Sequence, residues 1–227
     1  MTLSERLAEV RGRIDAAARL AGRDPSSVRL VAVSKTFPID AVREAYVAGQ
    51  RDFGENRVQE ALQKLADSPD LSISWHLLGH LQTNKARKAA AFAMIQSVDS
   101  AELIDKLDRA AQDTGHTPEL LIQVDLALEA TKFGVPVADV ARLFNAAAAC
   151  RAARVVGLMT LPPVPDTPED ARPWFRRLRE LRDEWLAAGV PSSMLRELSM
   201  GMSGDFEVAI EEGATIVRVG TAIFGTR

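Results

Sequence analysis

The chain has 227 residues, 47% hydrophobic and 26% charged, with a formal net charge of −3. That balance belongs to a globular protein able to bury a sizeable core, as one large domain or two small ones, and it excludes a global basic field that would draw the chain to nucleic acid or an anionic membrane. No apolar run approaches the ~20 residues of a membrane span, and the one cysteine, Cys150, has no second thiol to pair with, which suits a reducing compartment.

The chain opens on MTLSERLAEVRGR, charged throughout and without the apolar core of a signal peptide, so a cytoplasmic location is expected. Thr2 and Glu5 stand at capping-box spacing, and Leu3, Leu7, Val10, Ile14 and Ala18 repeat at helical period, which predicts an N-terminal helix. Eight short apolar runs follow, at 28–35, 51–56, 74–79, 94–98, 120–126, 154–160, 197–202 and 216–220, each trailed by a helical stretch. Several are apolar on both faces, as parallel strands covered by helices are. Eight strand–helix repeats over 1–227 with no long linker predict one (β/α)8 TIM barrel domain with an extra N-terminal helix. Counting runs does not show closure, so an open doubly wound sheet is the alternative. Among the helices, Ile39, Val42 and Tyr46 form one core stripe, and Trp174, Leu178, Leu181 and Trp185 another, with Pro173 in the first turn. The proline-rich stretch 161–173 after the sixth run is either a lid on the active face or a rigid connection.

Lys35 closes the first run, and strand ends of that polarity are where barrel enzymes place catalytic groups. Burying an ammonium is costly unless it is paired or deprotonated, and the free amine attacks aldehydes. The alternative is a lysine whose stem follows the strand while its head reaches water. Two glycine-rich turns, Gly201-Met202-Ser203-Gly204 and Gly220-Thr221-Ala222, follow the last two runs, where barrels often build a phosphate cup from backbone N–H groups. Ser203 and Thr221 add hydroxyl donors, although Ser203 could instead cap the helix that follows. Arg218 lies inside the apolar run IVRVG and needs an acceptor, either a carboxylate or a ligand atom. Asn56 can bond a ligand or simply turn the chain. His76 and His80 are four apart, but Gly79 intervenes and His76 falls in a strand, so they do not read as a metal pair. His116 reads as a solvated turn residue.

The segments VAVSK (31–35), FGENRVQE (53–60), WHLLGHLQTNK (75–85), GLMT (157–160) and LSMGMSGDFEVAIEEGATIVRVGTAIFG (198–225) together resemble the pyridoxal phosphate homeostasis protein family, which binds pyridoxal 5′-phosphate (PLP) in an alanine-racemase-type barrel. The resemblance runs from about Val31 to Arg227. It implies a Schiff base between PLP and Lys35, with Arg218 facing the pyridine nitrogen. It assigns Ser199, Ser203, Gly220 and Thr221 to the phosphate turns, with backbone donors near Gly201 and Met202. Asn56 and Met159 are implied to line the cofactor, with His76 close by. The sequence departs from the family at Asp125 and Ala127, where relatives carry an Asn and a small or polar residue, while Lys132 and Gly134 are retained.

An arginine at the ring nitrogen leaves that nitrogen unprotonated and makes PLP a weaker electron sink. The resemblance implies a monomeric protein that buffers PLP, delivers it to apo PLP-dependent enzymes and influences amino-acid and keto-acid balance, without an established reaction. An amino-acid racemase is the alternative. The sequence ends soon after the eighth run, so the C-terminal β-domain that supplies a second base in barrel racemases is expected to be missing. A PLP-free Schiff-base aldolase acting through Lys35 on a sugar phosphate is a third reading.

Overall fold

The computed structural model describes residues 1–127 and 133–226. Thr2 and Glu5 form the expected box: the Thr2 hydroxyl accepts from Glu5 N–H at 3.2 Å, and the Glu5 carboxylate accepts from Thr2 N–H at 2.7 Å. They open α1 (Leu3–Leu20), which buries Leu3, Leu7, Val10, Ile14 and Ala18 as its stripe predicts. The barrel strands are β1 (Arg29–Val33), β2 (Asp52–Glu55), β3 (Ser74–Leu77), β4 (Met94–Val98), β5 (Glu119–Asp125), β6 (Arg154–Met159), β7 (Glu197–Ser199) and β8 (Ile216–Val219). Each pairs in parallel with the next, and β8 returns to β1 with Arg218 opposite Val31. The sheet therefore closes into a (β/α)8 TIM barrel, and the open-sheet alternative falls. A two-residue strand, Val135–Pro136, adds to the end of β5.

Around the barrel lie α2 (Ile39–Val47), α3 (Val58–Ala66), α4 (Ala86–Ala89), α5 (Ala101–Thr114), α6 (Val140–Ala147), α7 (Arg172–Ala187), α8 (Phe206–Glu211) and α9 (Thr221–Phe224). Among the described residues, no helix is long and apolar enough to cross a membrane. Alternation divides the strands between two cores, with register shifts along the β4–β5 and β5–β6 pairings. Outward residues such as Ala32, Phe53, Ile95, Ile122, Val217 and Val219 pack under the helices. The apolar barrel interior is small: Val31, Met94, Leu121, Val156, Met159 and Ile216. The helix α1 rests on α8 and α9, with Arg6 Nε donating to Ile223 O at 2.6 Å and Arg13 paired to Glu207 at 2.6 Å. It thus buttresses the two short helices that follow the glycine turns.

Two expectations shift. The strands are shorter than the apolar runs, so Lys35, Asn56, Met202 and Gly220 sit just past strand ends. In α7 the fully buried position is Phe175, with Leu178 and Leu181, while Trp174 is half-buried. The helix turns its Phe175 side to the barrel, and Trp185 packs on the core edge-on to Phe144. The 161–173 stretch ends in a short 3-10 turn (Pro168–Ala171), where Thr167 and Asp170 cap each other.

One carboxylate fixes the approach to β6. Asp108 on α5 is buried and accepts the backbone N–H groups of Arg151, Ala152 and Ala153 at 2.8–2.9 Å. Burial alone would raise its carboxyl, but these donors outweigh burial and hold it below the ordinary value of 3.8. Asp108→Ala leaves three amides short of an acceptor, so urea unfolding at neutral pH is expected to show a loss of about 3 kcal/mol. A lowered carboxylate contributes stability above its unfolded value and loses it as pH falls through the folded one. The gap between the two proteins should therefore close on acidification below the ordinary Asp value, and a gap independent of pH would contradict the assignment.

Candidate functional site

The C-terminal ends of the strands surround a cavity of about 500 Å3. Val31, Val33 and Lys35 are in phase along β1, so the Lys35 side chain follows the interior side and reaches the cavity wall half-buried. Among the described residues no carboxylate pairs with it. The backbone on either side is anchored. Lys64, nearly buried on α3, donates to Ser34 O at 2.8 Å, Glu55 Oε1 at 2.6 Å and Glu60 Oε1 at 3.1 Å. Glu55 also accepts from the Ser34 hydroxyl at 2.7 Å, and Glu60 from Thr36 N–H at 2.5 Å. Burial pushes the Glu55 carboxyl up, and its Oε2 has no hydrogen-bond partner. Thr36 is held at φ 67°, left-handed backbone that a β-branched residue adopts only when its surroundings impose it.

The glycine turns after β7 and β8 form the adjacent wall. The Ser203 hydroxyl accepts from Gly220 N–H at 3.2 Å and Ala222 N–H at 3.4 Å, which ties the two turns together. The N–H groups of Ser203 and Gly204 have no acceptor among the described residues. Gly201 has φ 92°, and a Cβ there would lie 2.6 Å from Ala209 Cβ, so the turn needs glycine. Asp205, buried behind the turn, accepts from Met202 N–H at 2.6 Å. Burial raises its carboxyl, and the Met202 N–H and the Arg218 charge offset part of that rise.

Arg218 points into the barrel from β8, 4% exposed. Its Nη1 donates to the Ser199 hydroxyl at 2.6 Å and its Nη2 to Thr160 O at 2.9 Å. Burial lowers its guanidinium to about 10, so it is charged at neutral pH. The far wall carries His80, whose ring stacks on Phe133 at 3.7 Å between centroids and whose Nδ1 lies 3.3 Å from Asp99. Burial pushes the Asp99 carboxyl up, and the facing His80 offsets part of the rise. The arrangement offers an amine, a cluster of N–H and hydroxyl donors suited to a phosphate, and a guanidinium that can donate to a neutral acceptor while resisting deprotonation.

Residues 6–227 match the family described as alanine racemase, N-terminal domain. The pyridoxal phosphate homeostasis protein of Aquifex aeolicus is 45% identical over 228 residues, covering 100% of this chain and 99% of that protein. The chain belongs to the pyridoxal phosphate homeostasis protein family. A second member, from Pseudomonas aeruginosa, is 44% identical over 100% of this chain and 96% of its own. PipY of Synechococcus elongatus, solved with PLP bound, superposes with a TM-score of 0.87 at 44% identity, covering 99% of this chain and 100% of PipY.

Most residues that the family resemblance singles out meet at the cavity. Lys35, Asn56, Met159, Met202, Ser203, Arg218, Gly220 and Thr221 all line it. Three lie elsewhere. Ser199, implied in a phosphate turn, is fully buried in β7, where alternation sends its hydroxyl inward to Gln96 and Arg218. His76 is buried deeper, bonded to Gln96 and Asp52, and lines a separate cavity at the N-terminal end of the barrel. Gly201 shapes its turn from behind the wall. The Met202 amide is committed to Asp205, and Ser203 bridges turns rather than capping α8. At the β5 side, Asp125 accepts from Ala127 N–H at 3.2 Å, closing a tight turn, and Lys132 lies outside the described residues.

Sequence reasoning missed the support. Gln96 showed itself only as one of two polar residues in the run MIQSV. Lys64 is a charge on the buried face of α3, beside Val58 and Ala61. His80 and Phe133 stack in the cavity wall from distant segments, and no local pattern announces that.

Proposed function

We propose that this chain carries PLP as a Schiff base on Lys35 and acts as a cytoplasmic, monomeric, single-domain buffer and donor of PLP for apo PLP-dependent enzymes, and so in amino-acid and keto-acid balance. The observation that carries the reading is that Lys35, Arg218 and the two glycine turns share one cavity of about 500 Å3. A phosphate fits the N–H groups of Ser203 and Gly204, together with the Thr221 hydroxyl. Arg218 suits the pyridine nitrogen, and Asn56 and Met159 flank the ring. PLP bound to PipY, 44% identical, supports the same use of the site here. PLP supplies an aldehyde for Lys35 and an electron-withdrawing ring that a facing arginine leaves only weakly activating.

The protein holds PLP without efficient turnover in this reading. Racemisation needs a base on each face of the reacting carbon. The sequence has one tyrosine, Tyr46, whose hydroxyl accepts from Ser72 N–H and whose ring is covered by Arg51, away from the cavity. Among the described residues the cavity wall carries three titratable side chains, Lys35, His80 and Arg218. His80, paired to Asp99, is the observation that favours the racemase alternative. The deciding measurement is solvent deuterium exchange at the α-carbon of D- and L-alanine, with Lys35→Ala and His80→Ala as controls. Exchange is expected far below ordinary enzyme rates. Turnover near 1 s⁻¹ or above that vanishes in both controls overturns the non-enzyme reading.

A further inference from the structure

The barrel interior contains a run of polar side chains where branched apolar residues usually fill the layers. Arg218, Ser199, Gln96 and His76 are all buried and come from β8, β7, β4 and β3. Arg218 Nη1 donates to Ser199 Oγ at 2.6 Å, and Ser199 Oγ donates to Gln96 Oε1 at 2.6 Å. Gln96 Nε2 faces His76 Nδ1 at 3.0 Å, and His76 Nε2 faces Asp52 Oδ1 at 3.1 Å. Asp52 and His76 also line the cavity at the opposite end of the barrel, so the run spans it from one mouth to the other.

The directions of these bonds are not free. A guanidinium only donates, so Ser199 Oγ accepts from Arg218 and has one proton to give. That proton needs the carbonyl oxygen of Gln96. Flipping the amide would set its N–H2 against Ser199 and leave the hydroxyl proton without an acceptor. With its carbonyl turned to Ser199, Gln96 offers N–H to His76 Nδ1, which must then be unprotonated. His76 is left with its proton on Nε2, donated to Asp52. Every link follows from the fixed charge of Arg218.

We propose that Gln96 and His76 are positioning residues for Arg218, joined to it through Ser199 in a one-directional relay that holds the guanidinium toward the ligand cavity and keeps His76 as the neutral Nε2–H tautomer. With Nη1 tied to Ser199 and Nη2 to Thr160 O, the guanidinium plane is fixed at two points and its remaining N–H groups are left for a ligand acceptor.

As a statement about how Arg218 meets the pyridine nitrogen, the inference rests on the PLP reading above; the tautomer does not. Nitrogen-15 NMR of the ligand-free protein at neutral pH is expected to show His76 protonated at Nε2 alone. Protonation at Nδ1 overturns the relay. The second measurement compares PLP with its 1-deaza analogue, which lacks the ring nitrogen. Wild type is expected to prefer PLP about ten-fold, the scale of one charge-assisted hydrogen bond. Gln96→Leu should reduce that ratio to about one while borohydride still labels Lys35. A purely structural role for Gln96 weakens both ligands alike and keeps the ratio, which overturns the proposal. Should Gln96→Leu not fold, His76→Gln is read in the same way, with loss of preference expected and an unchanged ratio against it. Wild type that binds neither ligand removes the PLP reading and leaves the tautomer result standing.

Discussion

Borohydride reduction of the PLP-loaded protein is expected to leave a pyridoxyl group on the peptide that contains Lys35, and Lys35→Ala to abolish both that label and the aldimine absorbance. Lys35 is the one primary amine on the cavity wall among the described residues. Lys64 is close in the fold, but its ammonium is enclosed by Ser34 O, Glu55 and Glu60 and has no route to the cavity. The variant removes the nucleophile without disturbing packing, since the side chain is half-buried and makes no hydrogen bond among the described residues. Its melting temperature should therefore stay near that of wild type. A label on any other lysine would show that the nucleophile has been misassigned.

Pyridoxal, which lacks the phosphate, is expected to bind at least about 100-fold more weakly than PLP, and Thr221→Ala to weaken PLP about ten-fold. Each charge-assisted hydrogen bond to a phosphate is worth roughly 1.5–3 kcal/mol, and losing two or more gives the larger figure. The Thr221 hydroxyl is exposed on the cavity wall, so its removal should leave thermal stability unchanged. Titration by absorbance with both ligands on wild type and variant reads the effect. Equal affinity for PLP and pyridoxal sinks the assignment of the glycine turns. A Thr221→Ala defect equal for both ligands would mean the hydroxyl acts on something other than the phosphate.

Closure of the barrel was foreshadowed by eight runs but required strand pairing to establish, because β8 meets β1 across nearly the whole sequence. The chemistry-bearing ends of strands were legible because a lysine, an arginine and two glycine turns are conspicuous in apolar runs. What lay behind them was not. The family resemblance placed Ser199 with the phosphate turns, whereas strand alternation turns its hydroxyl into the barrel toward Arg218. Phe175 replaced Trp174 as the core residue of α7 because one step along a helix rotates a side chain by about 100°, and periodicity alone fixes a face only to within such a step. Contacts such as Asp108 with Arg151–Ala153 or Gln96 with Ser199 join residues 43 to 45 and 103 positions apart, beyond any local pattern.

The clamp of Lys64, Glu55 and Glu60 bears on the time and freedom that bond formation at Lys35 requires. With Ser34 and Thr36 fixed on either side, the segment carrying the amine is not a wandering loop that must first be ordered. The search for a carbonyl reduces to rotation about the bonds of one four-carbon stem, which samples its rotamers on the picosecond-to-nanosecond scale of exposed side chains. Most of the orientational entropy is already spent when the fold forms, so the amine presents a high effective molarity to any aldehyde held in the cavity. Attachment and release are then governed by the carbonyl chemistry and by the departure of the ligand rather than by movement of the backbone.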